Sequence, residues 1–339
     1  MHAAVVHAFD RPPRYEEVPT PEPGPDEWWL EVLAAGLHPR VRSGAANLHY
    51  TSGGDLPMIP GVDGVGRRPD GGLVYFVVAD SARGSMADVA VVDPRRCVEL
   101  PPGLDPVVAA AAMNPAMSSW VALRRRVELR PGARVLVLGA TGNAGQLAVQ
   151  LAKRLGAAEV VAAGRDAERL ARLTDVGADR LVVLPGPDPD GDRDPVGHAG
   201  GADQAGDPGD RYDAAAEVDV VLDYLWGRPA QVAMRAMLVR RSDRSRPLSW
   251  VQIGAVAGPA IELASELVRS ADLRVLGSGQ GSVTTAGYLA EFPALLAELA
   301  TGELAVDARA VPLADVETAW VAPTPPGQRI VLTPGGAGS

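Results

Sequence analysis

Apolar positions change their period along this chain, and the sharpest change lies near its middle. Val135–Leu138 is an unbroken apolar run, the pattern of a short strand buried on both faces. Gly139-Ala140-Thr141-Gly142-Asn143-Ala144-Gly145 follows at once. Beyond it Ala144, Leu147, Ala148, Leu151, Ala152 and Leu155 recur every three or four residues, the spacing of a helix with one buried face. Strand, glycine turn and helix thus come in immediate succession, the context in which a glycine fingerprint signals dinucleotide binding. Further strands are predicted at Glu159–Ala163, Arg180–Leu184, Val218–Leu222, Trp250–Ile253 and Leu273–Leu276, with helices over 167–174, 229–239 and 261–269. Strands alternating with helices imply a parallel, doubly wound sheet.

The flanks read differently. Ala3–His7, Trp28–Ala34, Leu73–Val78 and Ala87–Val92 are predicted strands. Arg42-Ser43-Gly44 to Tyr50 reads as a loop, and Pro60–Gly66 as a glycine-dense turn. Leu104–Met113 and Met117–Arg125 suggest two successive helices. At the far end Leu289–Leu299 and Ala314–Trp320 read as helices and Val311–Leu313 and Ile330–Leu332 as strands, expected to rejoin the first domain, with a frayed tail after Pro334. The expected architecture is α/β: a β-rich domain from 1–120 and 277–339, and a cofactor domain at 121–276. Residues 185–213 interrupt the second domain. Eight aspartates face two arginines there among Pro, Gly and Ala, too little apolar surface to offset the entropy of ordering, so a flexible acidic loop is expected. Asp188, Asp190, Asp192 and Asp194 alternate like calcium ligands but lack the terminal acid of such a loop.

The turn residues carry the first candidate chemistry. The pattern is Ala140-x-Gly142-x-x-Gly145. A missing Cβ at Gly142 lets backbone approach a pyrophosphate, and one at Gly145 lets helix and strand pack closely. The N–H groups around Asn143 and Ala144 and the helix dipole favour phosphate, with Thr141 in the same backbone. At the end of the second strand, where an acid would hold the ribose of NADH, the chain has Gly164 and then Arg165. A guanidinium suits a 2′-phosphate, which favours NADPH over NADH; the plain alternative is a solvated Arg165. Asp166 reads as the N-cap of the next helix, or else as a ribose partner, and Arg169 as a second phosphate partner or a surface residue. Turns at the carboxyl ends of strands, Asp223-Tyr224, Gly254-Ala255 and Gly277-Ser278-Gly279, are expected to line the cofactor.

Composition narrows the class. Of 339 residues 22% are charged and 47% hydrophobic, with a net charge of −10, which argues against nucleic acid or an anionic membrane as partner. No apolar run approaches the roughly 18 residues of a membrane span, and the N-terminal sequence has no signal-peptide pattern. Cys97 is the single cysteine, so no internal disulfide or multi-cysteine zinc site is expected and a cytoplasmic location is the default.

Taken together, Pro60–Gly66, Asn114–Trp120, the Gly139–Gly145 fingerprint, Gly156-Ala157, Val176-Gly177-Ala178, Leu222-Asp223, Leu276-Gly277-Ser278 and Val311-Pro312-Leu313 resemble the medium-chain dehydrogenase/reductase superfamily, and more closely its zinc-independent quinone oxidoreductase branch. The resemblance implies a GroES-like catalytic domain beside a Rossmann domain. It implies hydride transfer from NADPH to a small molecule, a quinone or an α,β-unsaturated carbonyl, and a homodimer joined through the edge strand Leu273–Leu276. Where zinc-dependent relatives carry Cys and His ligands, this chain has His38 and Val62, so no metal is expected. His38, Tyr50, Asp63 and Ser118 are the residues expected near the acceptor. His38 is a candidate proton donor, or a loop histidine bonded to backbone; Tyr50 a lining residue or an exposed loop tyrosine; Ser118 a nicotinamide contact or a helix cap. Rival readings are a dedicated enoyl or imine reductase of a biosynthetic pathway and a non-catalytic NADPH-binding protein.

Overall fold

A computed structural model describes residues 1–49, 52, 54–78, 82–186, 210–325 and 327–335. Its strands are β1 (His2–Val5), β2 (Arg14–Glu17), β3 (Trp28–Gly36), β4 (Asp63–Arg67), β5 (Leu73–Val77), β6 (Val89–Val92), β7 (Cys97–Glu99), β8 (Arg134–Leu138), β9 (Glu159–Gly164), β10 (Arg180–Val183), β11 (Val220–Asp223), β12 (Leu248–Gln252), β13 (Leu273–Gly277), β14 (Asp307–Pro312) and β15 (Gln328–Thr333). The α-helices are α1 (Pro39–Ala45), α2 (Pro106–Val121), α3 (Asn143–Arg154), α4 (Ala167–Arg172), α5 (Gly227–Arg240), α6 (Ser265–Arg269), α7 (Thr285–Ala300) and α8 (Val316–Val321). Two compact units result, Met1–Met117 with Thr285–Ser339, and Ser118–Thr284.

The first unit is β-rich. A mixed sheet has the order β14-β15-β3-β4-β5-β7, with β6 also on β3, and β1 pairs with β2 in a ribbon of their own. The segment Pro60–Gly66, expected as a turn, instead enters β4. Glycine reads as punctuation, but here it answers crowding: a Cβ on Gly64 would lie 2.8 Å from the Ala34 carbonyl oxygen and 3.0 Å from the Phe76 ring. The expected loop after His38 begins as α1, because Pro39 at the first helical position has its φ preset. The strands β2 and β7 have no counterpart in the sequence reading. The two helices expected over 104–125 are one, α2, with Pro115 inside it, continued by a π-helical turn at Ala122–Arg126. Ala109–Met113 are wholly buried, so packing holds the helix through a proline that would break it in water. This corrects the membrane argument: Pro106–Arg126 is long and apolar enough to cross a bilayer by length and composition, but 72% of its apolar window is buried within the protein, as in a core helix.

The second unit is a six-stranded parallel sheet ordered β10-β9-β8-β11-β12-β13. The chain builds outward from β8 through β9 to β10, then crosses to β11 and builds the other way. That reversal opens a crevice at the carboxyl ends of β8 and β11, where doubly wound sheets bind ligands. Alternation along β8 serves both faces: Leu136 and Leu138 pack with α5 and Trp250 on one side, Val135 and Val137 with α3 on the other. The expected helix at 261–269 is only the five residues of α6. Of the expected acidic loop, residues 187–209 lie outside the described residues, and its last residues are not loop. Asp210–Ala215 is a helical turn anchored by buried Tyr212 and by Arg240, which pairs with Asp210 and Asp213 at 2.8 Å each. Asp188, Asp190, Asp192 and Asp194 lie outside the described residues. The segment after β13 stays with this unit up to Thr284 rather than leaving it at 277. Arg126 holds it, donating to the carbonyls of Gly277 (2.9 Å) and Ser282 (3.2 Å).

Gly145 is the tightest demand of the sheet–helix contact. A Cβ there would collide with the Gly139 carbonyl oxygen and lie 2.7 Å from Ala140 Cα, both backbone atoms. Gly145→Ala is therefore expected to cost about 1–3 kcal/mol or to prevent folding, read as a fall in the thermal unfolding midpoint; an unchanged midpoint would contradict this packing.

Candidate functional site

The crevice is built from five turns, at the carboxyl ends of β8, β9, β11, β12 and β13. Gly139 leaves β8 with φ 87°, a left-handed conformation that glycine takes without strain. The N–H groups of Gly139 and Ala140 both donate to the Ala163 carbonyl at 2.9 Å, tying the turn to β9. Gly142 then caps α3 in an extended conformation, and a Cβ on it would meet nothing closer than the Gly139 oxygen at 3.4 Å. The fold itself does not need a glycine at 142. Asn143, Ala144 and Gly145 form the first turn of α3, whose N–H groups have no intrahelical acceptor, and no acid lies in that turn. A phosphate fits such a cradle in shape and charge.

The second strand's end is arranged as follows. Gly164 is buried, and a Cβ there would press on Thr141 at 2.8 Å, so its smallness makes room for the turn. Arg165 is exposed and has no hydrogen bond or ion pair among the described residues. Asp166 caps α4, accepting the Arg169 N–H at 3.1 Å, and also pairs with the Arg169 guanidinium at 3.1 Å. The acid is thus occupied by Arg169, and Arg165 stands next to it with no ion pair among the described residues.

Across the crevice, the turn after β11 carries a buried carboxylate. Asp223 accepts the N–H groups of Leu225 (2.8 Å) and Trp226 (2.9 Å) on one oxygen and the Trp250 indole N–H (2.8 Å) on the other. Burial pushes its pKa up and these three donors pull it back. Leu225 packs over Gly139, where a Cβ would be 3.1 Å away. Tyr224 is bonded to Ser118 at 2.9 Å, and its hydroxyl is pushed up to about 12 by burial. Ser118 lies within α2 and is not a helix cap. Gly254 is explained by packing, since a Cβ would be 2.7 Å from the Tyr224 carbonyl oxygen. Gly277 is exposed with open space around its Cα, Ser278 is buried with its hydroxyl unpartnered among the described residues, and Gly279 donates to Ser282 Oγ at 2.9 Å.

A second polar cluster lies in the first unit. His38 Nε2 and Asp63 Oδ1 are 3.0 Å apart, and both residues are 1% exposed. Tyr75 donates to the other Asp63 oxygen at 2.6 Å, and Ser85 donates to the Asp63 carbonyl at 2.6 Å. Burial and the facing carboxylate push the Tyr75 hydroxyl well above its usual pKa. Arg329, pushed down to about 10 by burial, donates to the Leu37 carbonyl at 3.1 Å and is drawn by the charge of Asp63. Gly36 leaves room for the imidazole, since its Cβ would collide with Nε2. His38 Nδ1 is buried with no hydrogen-bond partner among the described residues. Tyr50 lies outside the described residues. Sequence reasoning missed Tyr75, Ser85 and Arg329. The available signal was a hydroxyl inside the apolar strand Leu73–Val77 and a cation inside Gln328–Thr333.

No protein-family model matches the chain. A probable NADPH-dependent quinone reductase, tdiC, of Emericella nidulans is 31% identical, over 98% of this chain and 100% of its own. The chain belongs to the medium-chain dehydrogenase/reductase superfamily, in its quinone oxidoreductase branch. This reductase shares its fold with the quinone oxidoreductase of Thermus thermophilus, solved also with NADPH, at a TM-score of 0.77 and 25% identity over 98% of this chain and 100% of that one. A chloroplastic NADPH-dependent alkenal/one oxidoreductase of Arabidopsis thaliana is 28% identical over 48% of this chain and 46% of its own length.

The donor from Tyr75 is the part of the buried cluster most open to test. Tyr75→Phe leaves one Asp63 oxygen without a partner and is expected to cost about 1–3 kcal/mol of stability, measured by denaturant unfolding; a loss below a few tenths would show that Asp63 does not depend on it.

Proposed function

We propose that this protein is an NADPH-dependent reductase of quinones or α,β-unsaturated carbonyls that works without a metal. The observation that carries the reading is Gly142: a glycine with ordinary backbone angles and open space beside it, at the start of a helix in the crevice. Glycine is a tolerated N-cap, but Ser, Thr, Asn or Asp would cap α3 at least as well and would fit there; a pyrophosphate at this turn accounts for the missing side chain. The backbone of Thr141–Gly145 would hold that pyrophosphate and Arg165 the 2′-phosphate. NADPH, when bound, supplies a hydride. The chain's own part is to orient the dinucleotide and to deliver a proton to the oxygen of the reduced acceptor.

His38 is the proton source in this reading, with water the alternative. Asp63 accepts from Nε2–H, which fixes the tautomer and ring orientation; Nδ1 then carries a lone pair, and it would pass on a proton only after taking one from water. Asp63 itself is bonded to His38 and Tyr75, and the Ser118 hydroxyl to Tyr224, so neither is the donor. The metal-free reading rests on the donor set. His38 and Asp63 are bound to each other, Val62 has no ligating atom, and among the described residues no cluster of three His, Cys, Asp or Glu could hold an ion. A small-molecule acceptor, a homodimer, a cytoplasmic location and no nucleic-acid or membrane partner complete the proposal. The edge strand β13, with Val275 44% exposed, supports self-association. Net charge and the lone cysteine support the remainder.

The test compares NADPH with NADH in binding and in oxidation by benzoquinones and enones, for wild type and Arg165→Ala. NADPH is expected to bind at least about tenfold tighter, about 1.4 kcal/mol, and the variant to lose that margin. Turnover is expected to survive dialysis against a chelator, and sedimentation to give twice the chain mass of 35.2 kDa. Equal binding of the two cofactors would remove Arg165 from the site, zinc-restored activity would overturn the metal-free reading, and tight binding without turnover on any acceptor would make the protein a non-catalytic binder.

A further inference from the structure

Trp226 has φ 51° and ψ −161°, a backbone region that glycine adopts and that other residues take up only under strain. Gly227 follows at φ 59°. Two successive residues of positive φ, one of them a tryptophan, persist only where surrounding contacts over-determine the turn. Those contacts are on one side the Asp223 carboxylate, taking the N–H groups of Leu225 and Trp226, and on the other the Ala257 N–H, which donates to the Leu225 carbonyl at 2.8 Å. A Cβ on Gly227 would be 2.7 Å from the Ala257 oxygen, so the two turns touch through backbone. The Trp250 indole fixes the carboxylate itself from the next strand.

We infer that Asp223 is a positioning residue for the nicotinamide half of the dinucleotide, holding the strained Tyr224–Gly227 turn in the form that walls the crevice. The inference rests on the NADPH reading above. The crevice divides at the switch point. The strands β8, β9 and β10 form one half, with Arg165 at its end, and β11, β12 and β13 form the other. The turn after β11 therefore stands on the half away from the 2′-phosphate, and Leu225 sets it against the phosphate turn at Gly139. The carboxylate faces inward to three donors, so it acts through the turn and not on the ligand. A wall fixed before binding leaves less ordering for the cofactor to impose.

The chemistry of the three donors gives a sharp test. Asparagine at 223 is the same size, but one of its two heads is an N–H donor, which must oppose either the Trp250 indole or the two backbone amides. Calorimetry would measure two ligands: NADPH, and adenosine 2′,5′-bisphosphate, which carries the phosphate end alone. Asp223→Asn is expected to weaken NADPH by about tenfold and leave the bisphosphate unchanged. Adding Trp250→Phe removes the opposed donor and is expected to recover most of the loss. Should the asparagine variant not fold, Asp223→Ser, which has no amide to oppose the indole and cannot reach both backbone N–H groups, is expected to give the same split between ligands. Wild-type NADPH affinity in folded Asp223→Asn or Asp223→Ser, or equal weakening of both ligands in either, would overturn the inference. Binding of neither ligand by wild type would instead overturn the NADPH reading on which it rests.

Discussion

Gly145 sits where helix, turn and strand come within backbone contact of one another, and the rest of the second unit depends on that approach. Because no Cβ intervenes, α3 lies against the Gly139-Ala140 backbone, and its N-terminal turn is carried to the end of β8. The same closeness puts Gly142 at the mouth of the crevice with space in front of it. Three glycines within seven residues thus meet three different constraints. Gly139 supplies a left-handed bend, Gly145 a backbone contact, and Gly142 an opening that only a ligand would use.

Two buried carboxylates organise what surrounds this core. Charge removed from water is tolerated only when hydrogen bonds and nearby charge replace the lost solvation. Asp223 is satisfied by two amides and an indole, and in being satisfied it dictates the course of a turn. Asp63 is satisfied by a phenol and an imidazole, with Arg329 supplying opposite charge, and it dictates which nitrogen of His38 remains free. In neither case does the acid project toward a ligand; each one positions its neighbours.

Much of this was readable along the chain, because the relevant signals were local. The β8–turn–α3 unit announces itself by a change of period over about twenty residues, and the parallel sheet by its repetition. Asp166 as a cap was visible from its place before α4. What stayed hidden were contacts between residues far apart in sequence. His38 and Asp63 are separated by 25 residues, Ser118 and Tyr224 by 106. Glycine misled at Gly64, whose cause is lateral: it yields to the neighbouring strands and marks no turn. Pro115 misled in the opposite sense, since buried alanines carry α2 through it. No sequence rule assigns positive φ to a tryptophan, so the strain at Trp226 emerged only with the turn that enforces it.

The central claim is that the crevice at the carboxyl ends of β8 and β11 is the cofactor site. Hydrogen–deuterium exchange with and without NADPH tests it without reference to turnover, because bound ligand slows exchange of the amides it covers or steadies. The account predicts slowed exchange in peptides covering Gly139–Gln146 and Asp223–Gly227, and no change at the outer strands β1 and β2. Protection confined to other segments, with these two exchanging as in the free protein, would contradict it.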